Sequence, residues 1–256
     1  MKNAFLAVLM ICPLFGILGT MVVAGRMAFF ADSLSHSTFT GIALGALLHL
    51  SSPRISVVLF AVAFAVFITY IKRRSRASTD TVISVFSSAA VALGLMLMSQ
   101  GGSFGKFSSF MIGDLLSINK TDLFSLLIVG LATGIIWLAL FNPLLLVSVN
   151  ESFAKSRGIK TVFVESLFAM TIAVVVAISI EWVGVLIINS LLVLPAAGAA
   201  NVAIGVRQYH FFAVVIALFS GIVGLILAYY LGMAAGAVIA LTAAMIFFAT
   251  LGIKRT

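Results

Sequence analysis

Residues 26–45 read Arg26-Met-Ala-Phe-Phe-Ala-Asp32-Ser-Leu-Ser-His36-Ser-Thr-Phe-Thr-Gly41-Ile-Ala-Leu-Gly45. Within an otherwise apolar stretch of chain they carry an acid and an imidazole. Asp32 and His36 are four residues apart, a spacing that on a helix stacks both side chains on one face, roughly 6 Å apart at Cβ. A carboxylate and an imidazole so placed can share one divalent ion. An aspartate at the centre of a membrane helix costs about 2.5–3.5 kcal/mol on the insertion scale, so ionisable residues inside a span are read as functional. A hydrogen bond between helices is the other use such a pair can have. Ser33, Ser35, Ser37, Thr38 and Thr40 surround it. That much polarity points to a face on a cavity, not on lipid. Gly41 and Gly45 form a G-x-x-x-G that lets a neighbouring helix come close.

The rest of the chain decides the solvent. Of 256 residues, 63% are hydrophobic and 9% charged, with a mean hydropathy of +1.29. No soluble domain is this apolar. Apolar runs of about 20 residues recur, which is the length that crosses a bilayer. The expected fold is an all-α polytopic membrane protein. It is a single transmembrane domain over residues 1–256, a bundle of about eight or nine spans, some broken or re-entrant. The spans fall near 4–24, 27–49, 55–71, 81–99, 122–141, 162–180, 184–203, 211–230 and 233–252. One cysteine, Cys12, excludes an intrachain disulfide. No small-x-small cleavage site follows the first apolar run, so it reads as a retained span.

The net charge of +8 would suggest nucleic acid in a soluble protein. Here the bias of lysine and arginine toward cytoplasmic loops accounts for it, and no nucleic-acid partner is expected. The cluster Lys72-Arg73-Arg74-Ser75-Arg76 belongs in the cytoplasm. Alternating outward from it leaves eleven basic residues inside and four outside. The N-terminus is then outside and the C-terminus cytoplasmic.

Two connecting regions stand out. Residues 100–120 are Gly-rich yet carry Phe104, Phe107, Phe110, Met111 and Ile112, which fits a short helix or re-entrant segment at the outer face. Asp114 and Asp122 there either cap short helices or meet a cation or a docking protein. Residues 142–161 form the largest cytoplasmic insertion. Asn150 can cap a short helix, Glu151 suits its first turn, and Gly158 can end it. Phe153 and Ala154 give that helix an apolar patch, which fits a partner-docking helix and a simple interfacial helix equally. Farther on, Pro195 removes a backbone hydrogen bond within the span that holds Asn189 and Ser190. Small residues follow it, as in the broken helices of transport paths; a purely structural kink fits as well. The chain has no Walker A, H-E-x-x-H, G-x-S-x-G or C-x-x-C sequence.

Four blocks, in order, resemble the permeases of metal-ion ABC transporters for zinc, manganese and iron. Arg26 to His36 is similar to that family's R-M-A-F-F-G-D-x-L-S-H signature, and Met111-Ile-Gly-Asp114-Leu-Leu-Ser to its F-G-D-I-L-x-V. Asn150-Glu-Ser-Phe-Ala154-Lys-Ser-Arg-Gly158-Ile159 matches its cytoplasmic helix, and Val183 to Ala197 its V-G-x-L-L…P-A-A segment. The resemblance implies a transport subunit, not an enzyme, in a multi-pass bacterial inner (cytoplasmic) membrane protein. It implies a homodimer, two cytoplasmic ABC ATPase subunits and an extracytoplasmic metal-binding protein. Asp32 and His36 become the metal pair of the permeation path, and 150–159 the helix engaging the ATPase through Asn150, Glu151, Phe153, Ala154 and Gly158. Gly41, Gly45 and Pro195 become packing and helix-breaking positions. The resemblance further implies no cofactor in the chain itself and, as cargo, a divalent metal ion, zinc first, then manganese or iron.

The departures are Ala31 for glycine, Asn150 for an acid, Gly232 for an acid near the end, and Ser88 where some zinc members have histidine. The last of these weakens a zinc-only assignment. A permease for a metal chelate of the siderophore or cobalamin type is the alternative within transport. An intramembrane metalloenzyme is the alternative outside it, and it lacks a third strong ligand, because a catalytic zinc takes three protein ligands. The topology predicts that Ser156→Cys, in a Cys12-free background, reacts with an impermeant thiol reagent only after the cell is opened. Labelling of intact cells at that position would contradict the arrangement.

Overall fold

The computed structural model describes residues 1–49, 53–100 and 113–252. Among the described residues there are ten α-helices, one 3-10 turn and no strands. They are α1 Lys2–Ala24, α2 Ala28–Leu47, α3 Pro53–Arg74, α4 Thr79–Gln100, α5 Lys120–Val149, α6 Glu151–Ser156, α7 Thr161–Val183, α8 Val185–Val202, α9 Val206–Leu231 and α10 Ala235–Leu251. The 3-10 turn is Leu115–Ser117. Every expected span has its helix. Six of them (α1, α3, α4, α5, α7 and α9) are each long and apolar enough to cross a membrane, while α8 and α10 are shorter apolar helices. The remaining long helix, α2, is the polar one, because it holds Asp32, His36 and the hydroxyl run. The expected segment at residues 100–112, with Phe104, Phe107, Phe110, Met111 and Ile112, lies outside the described residues, as does the tail Lys254-Arg255.

Helix ends follow local chemistry. Ser78 Oγ accepts from the Thr81 amide at 3.2 Å at the start of α4. Asn119 and Asp122 cap the start of α5 reciprocally: Asn119 Oδ1 accepts from the Asp122 amide at 2.9 Å, and Asp122 Oδ2 accepts from the Asn119 amide at 3.2 Å. This is a capping box built from two short polar side chains. Asp114 Oδ1 accepts from the Leu116 amide at 3.1 Å and starts the 3-10 turn. Both acids therefore serve as caps, the first of the two readings open to them.

The chain divides into two compact units. One comprises Met1–Arg26, Ser109–Ile135 and Ser179–Thr256. Within it α1, α8, α9 and α10 pack on one another. Small residues set the spacing, as interfaces without a hydrophobic driving force require. A Cβ placed on Gly19 of α1 would lie 1.9 Å from the Leu192 carbonyl oxygen of α8, and one on Gly224 of α9 would lie 2.5 Å from Ile239 Cα of α10. Pro195 is buried inside α8 and the helix runs on through it to Val202. A separate break lies eleven residues earlier, at Gly184, whose φ of 88° and ψ of 148° separate α7 from α8. Only glycine adopts that backbone readily. Gly113 presses on the break from outside: its Cβ would meet the Val183 carbonyl carbon at 2.4 Å.

The other unit comprises Met27–Ser108 and Ile136–Ile178. Its centre is α2, packed against α3 on one side and α4 on the other. A Cβ on Gly41 would lie 2.9 Å from Val57 Cα of α3, and one on Gly94 of α4 would lie 2.8 Å from the Thr40 amide nitrogen. Gly45, the second glycine of the G-x-x-x-G, is buried.

These contacts predict a sharp contrast between two glycines. Gly19→Ala must push α1 off α8, costing about 1–3 kcal/mol as overpacking does. Gly130→Ala on α5 meets no atom within 4 Å and is neutral or slightly stabilising. Thermal unfolding of the two purified variants in detergent checks this, with a lowered midpoint expected for Gly19→Ala alone.

Candidate functional site

Asp32 and His36 lie one turn apart on α2, as their spacing requires. Asp32 Oδ1 and His36 Nε2 are 3.7 Å apart, and the side chains are 39% and 37% exposed respectively. That gap is too long for a hydrogen bond. Neither side chain has another polar partner among the described residues. The interhelical hydrogen bond that would make the pair merely structural is therefore absent there. A tetrahedral ion with bonds of about 2.1 Å holds two donors about 3.4 Å apart, so a small rotation of either side chain brings the pair to chelating distance. Among the described residues no group of three or more His, Cys, Asp or Glu side chains could hold a metal. One chain thus offers two donors and leaves the rest of a coordination sphere open.

Four of the five hydroxyls around the pair are bonded to helix backbone. Ser33, Ser35, Ser37, Thr38 and Thr40 are all buried. Ser35 Oγ donates to the Ala31 carbonyl at 3.0 Å, Ser37 Oγ to Leu34 at 2.9 Å, and Thr38 Oγ1 to Ser35. Thr40 Oγ1 donates across to the Ala90 carbonyl of α4. In return, Ser87 of α4 donates to the Ser33 carbonyl at 3.4 Å, and Ser56 of α3 to the Gly41 carbonyl at 2.7 Å. The hydroxyls bind helix backbone because a buried O–H without a partner is costly. The Asp32–His36 pair on α2 has no polar partner beyond itself among the described residues. In α8, Asn189 Oδ1 is buried and has no hydrogen-bond partner among the described residues.

The second element singled out in the sequence, residues 150–159, folds as its residues dictate. Asn150 is extended (φ −157°, ψ 106°) and its Oδ1 accepts from the Phe153 amide at 3.0 Å. At the other end Gly158 takes φ 77°. Its amide donates to the Lys155 carbonyl at 3.0 Å, and the Ile159 amide reaches back to the Ala154 carbonyl at 3.1 Å. These two bonds make a Schellman motif with glycine at the left-handed position. Phe153 is 45% exposed and Ala154 is fully buried, so the two halves of the expected apolar patch part company. Phe153 faces outward with the Arg157 guanidinium 5.2 Å from its ring centre, and Ala154 anchors the turn inward.

Sequence reasoning missed what holds this turn. Glu151 Oε1 is 2.8 Å from Lys155 Nζ and 3.4 Å from Arg73 Nη1 at the end of α3, and it accepts from Thr161 Oγ1 at 3.2 Å. Glu165 Oε2 lies 2.9 Å from Lys72 Nζ and 3.0 Å from Arg73 Nη2. The Lys155 hydrogen bond, helped by the Thr161 hydroxyl and the nearby cations, holds the Glu151 carboxyl below the usual carboxylate range, against the opposing effect of burial. A carboxyl lowered in the folded state stabilises above its ordinary titration range, and that contribution is lost as pH falls through the lowered one. At neutral pH the network is intact. The scarcity of acids, seven in the whole chain, was the signal available: two of them answer the one dense basic cluster. The contacts also put residues 72–73 and 151–165 at the same end of this unit, as the charge bias anticipates.

The ABC 3 transport family matches the chain over residues 1–254. The chain is 31% identical over 238 residues to the high-affinity zinc uptake system membrane protein ZnuB of Haemophilus influenzae, across 91% of this chain and 90% of that protein. It is 28% identical over 247 residues to the manganese import system permease protein ScaB of Streptococcus parasanguinis, across 96% of this chain and 88% of that one. The solved structure of PsaBC from Streptococcus pneumoniae in complex with Fab superposes with a TM-score of 0.85 at 29% identity, covering 97% of this chain and 90% of that chain. By this match over residues 1–254 the chain belongs to the ABC 3 transport family and is a multi-pass membrane permease.

Proposed function

We propose that the chain is the membrane subunit of an ATP-binding-cassette importer that passes a divalent transition metal into the cytoplasm. The carrying observation is the Asp32–His36 pair, partly exposed and without another polar partner among the described residues. A path that moves an ion must replace part of its hydration without holding it too tightly to leave. Two donors suit that better than a closed four-ligand site. Asp32 supplies the compensating charge, and the neutral imidazole of His36 favours transition metals over magnesium and calcium. Relatives named for zinc uptake and for manganese import support those two metals, with iron the remaining member of the set; the donor pair fits any of the three.

The finer assignments belong to the same proposal. ATP is hydrolysed on separate cytoplasmic ATPase subunits, a metal-binding protein delivers cargo from outside, and two copies of this chain form the permease. The membrane is the bacterial inner membrane, with the basic cluster, α6 and the C-terminus on its cytoplasmic side. The capped and anchored α6 is the surface that meets the ATPase. Phe153 makes that contact, while Asn150, Glu151, Ala154 and Gly158 hold the turn in shape. The two-donor site supports transport over catalysis, since a catalytic zinc takes three protein ligands.

Two predictions test this reading. In cells lacking other importers, Asp32→Ala and His36→Ala each abolish metal uptake at normal expression. Asp32→Asn loses binding itself, and His36→Ala first loses discrimination among metals; radiometal binding to the purified variants with competing ions reads both. Phe153→Ala, on an exposed position, leaves the permease folded and lowers stimulated ATP hydrolysis about tenfold, a loss of about 1.4 kcal/mol. Wild-type uptake by either alanine variant of the pair would remove it from the mechanism.

A further inference from the structure

The basic end of α3 does more than bias topology. Lys72 and Arg73 share Glu165 Oε2 at 2.9 and 3.0 Å, and Arg73 reaches Glu151 at 3.4 Å. The Glu165 side chain is 17% exposed, so this pairing is shielded from water and screened less than an open surface pair. Glu151 is the first residue of α6 and Glu165 lies in the second turn of α7. Thr161, at the start of α7, donates to Glu151 as well. The end of α3, the short helix α6 and the start of α7 are therefore tied into one network.

α3 then leads to the metal pair. It is a 22-residue helix, about 33 Å long at 1.5 Å per residue, and it lies along α2. Ser56 donates to the Gly41 carbonyl at 2.7 Å. The Gly41–Val57 approach is so close that a Cβ there would sit 2.9 Å from Val57 Cα. Helix backbones in such contact cannot slide independently without losing it. Charge pairs join α6 to one end of a stiff helix, and backbone packing joins that helix to the one carrying Asp32 and His36. All of these residues lie in one compact unit.

Resting on the permease reading above, we propose that Lys72, Arg73, Glu151 and Glu165 form a coupling clamp that makes α6 and α3 move as one piece, so that a push on α6 reaches the metal pair through α3. They are positioning residues, since none of them contacts the Asp32–His36 pair. A charge that only sets orientation needs Lys72 and Arg73 but no particular acid. A clamp needs Glu165 and Glu151 as much as the bases.

The test uses the full permease–ATPase complex in liposomes with its metal receptor and Zn²⁺. Three quantities are read: Zn²⁺ uptake, the ratio of metal-stimulated to basal ATP hydrolysis, and Zn²⁺ binding without ATP. Glu165→Gln and Arg73→Met are expected to lower uptake and the stimulation ratio by about fivefold or more, the lower end of ordinary coupling between sites, and to leave Zn²⁺ binding unchanged. The double variant is expected to be no worse than either single one, because each already opens the same clamp. Arg73→Lys, which keeps the charge, retains most of the ratio. Wild-type ratios in both single variants would overturn the clamp alone. So would additive losses accompanied by weakened Zn²⁺ binding, which mark a general loss of fold. A wild-type complex that takes up no Zn²⁺ or other transition metal would overturn the permease reading and the clamp with it.

Discussion

A polar helix inside an apolar protein has to account for every polar atom it buries, and α2 is that helix. Four of its five hydroxyls, those of Ser35, Ser37, Thr38 and Thr40, donate to carbonyl oxygens of α2 itself and of α4. α3 and α4 return the exchange by donating to carbonyls of α2. Gly41 and Gly94 bring the three backbones close enough for this to happen. With these bonds made, the acid and the imidazole have no other polar partner among the described residues, and they lie 3.7 Å apart and partly open. Packing and chemistry are thus two consequences of one constraint. The helix is held by its hydroxyls and leaves free the groups that the proposed metal path requires.

The same economy governs the end of the unit where α3 meets α6 and α7. A six-residue helix has too few internal hydrogen bonds to persist alone. Here α6 is closed by Asn150 at one end and a Schellman motif at the other. It is seated through the buried methyl of Ala154 and tied by Glu151 to α3. Such a turn transmits force only if it is stiffer than its connections. The caps, the anchor and the ion pairs supply that stiffness from different parts of the chain.

Much of this was legible in the sequence, and the division between legible and hidden is physical. Span positions follow from runs of apolar residues, which need no partner to be recognised. The caps at Asn150 and Gly158 were legible because they act within a few residues, and so were the capping roles of Asp114 and Asp122. The fate of the hydroxyls was not. A serine beside an aspartate reads the same whether it lines a cavity or bonds a carbonyl one turn back. The approach of Gly113 to the break at Gly184 and the pairing of Glu165 with Lys72 and Arg73 each depend on residues dozens of positions away. No local pattern encodes which neighbour arrives.

The most direct measurement on the metal pair is X-ray absorption spectroscopy of the zinc-loaded permease and of its His36→Ala variant. Ligation by Asp32 and His36 gives a first shell of nitrogen and oxygen at about 2.0–2.1 Å with an imidazole signature, and that signature disappears from the variant. A sulfur at about 2.3 Å would put the metal on Cys12. An imidazole signature that survives in His36→Ala would put it on another histidine. Either result would contradict α2 as the helix that carries the ion.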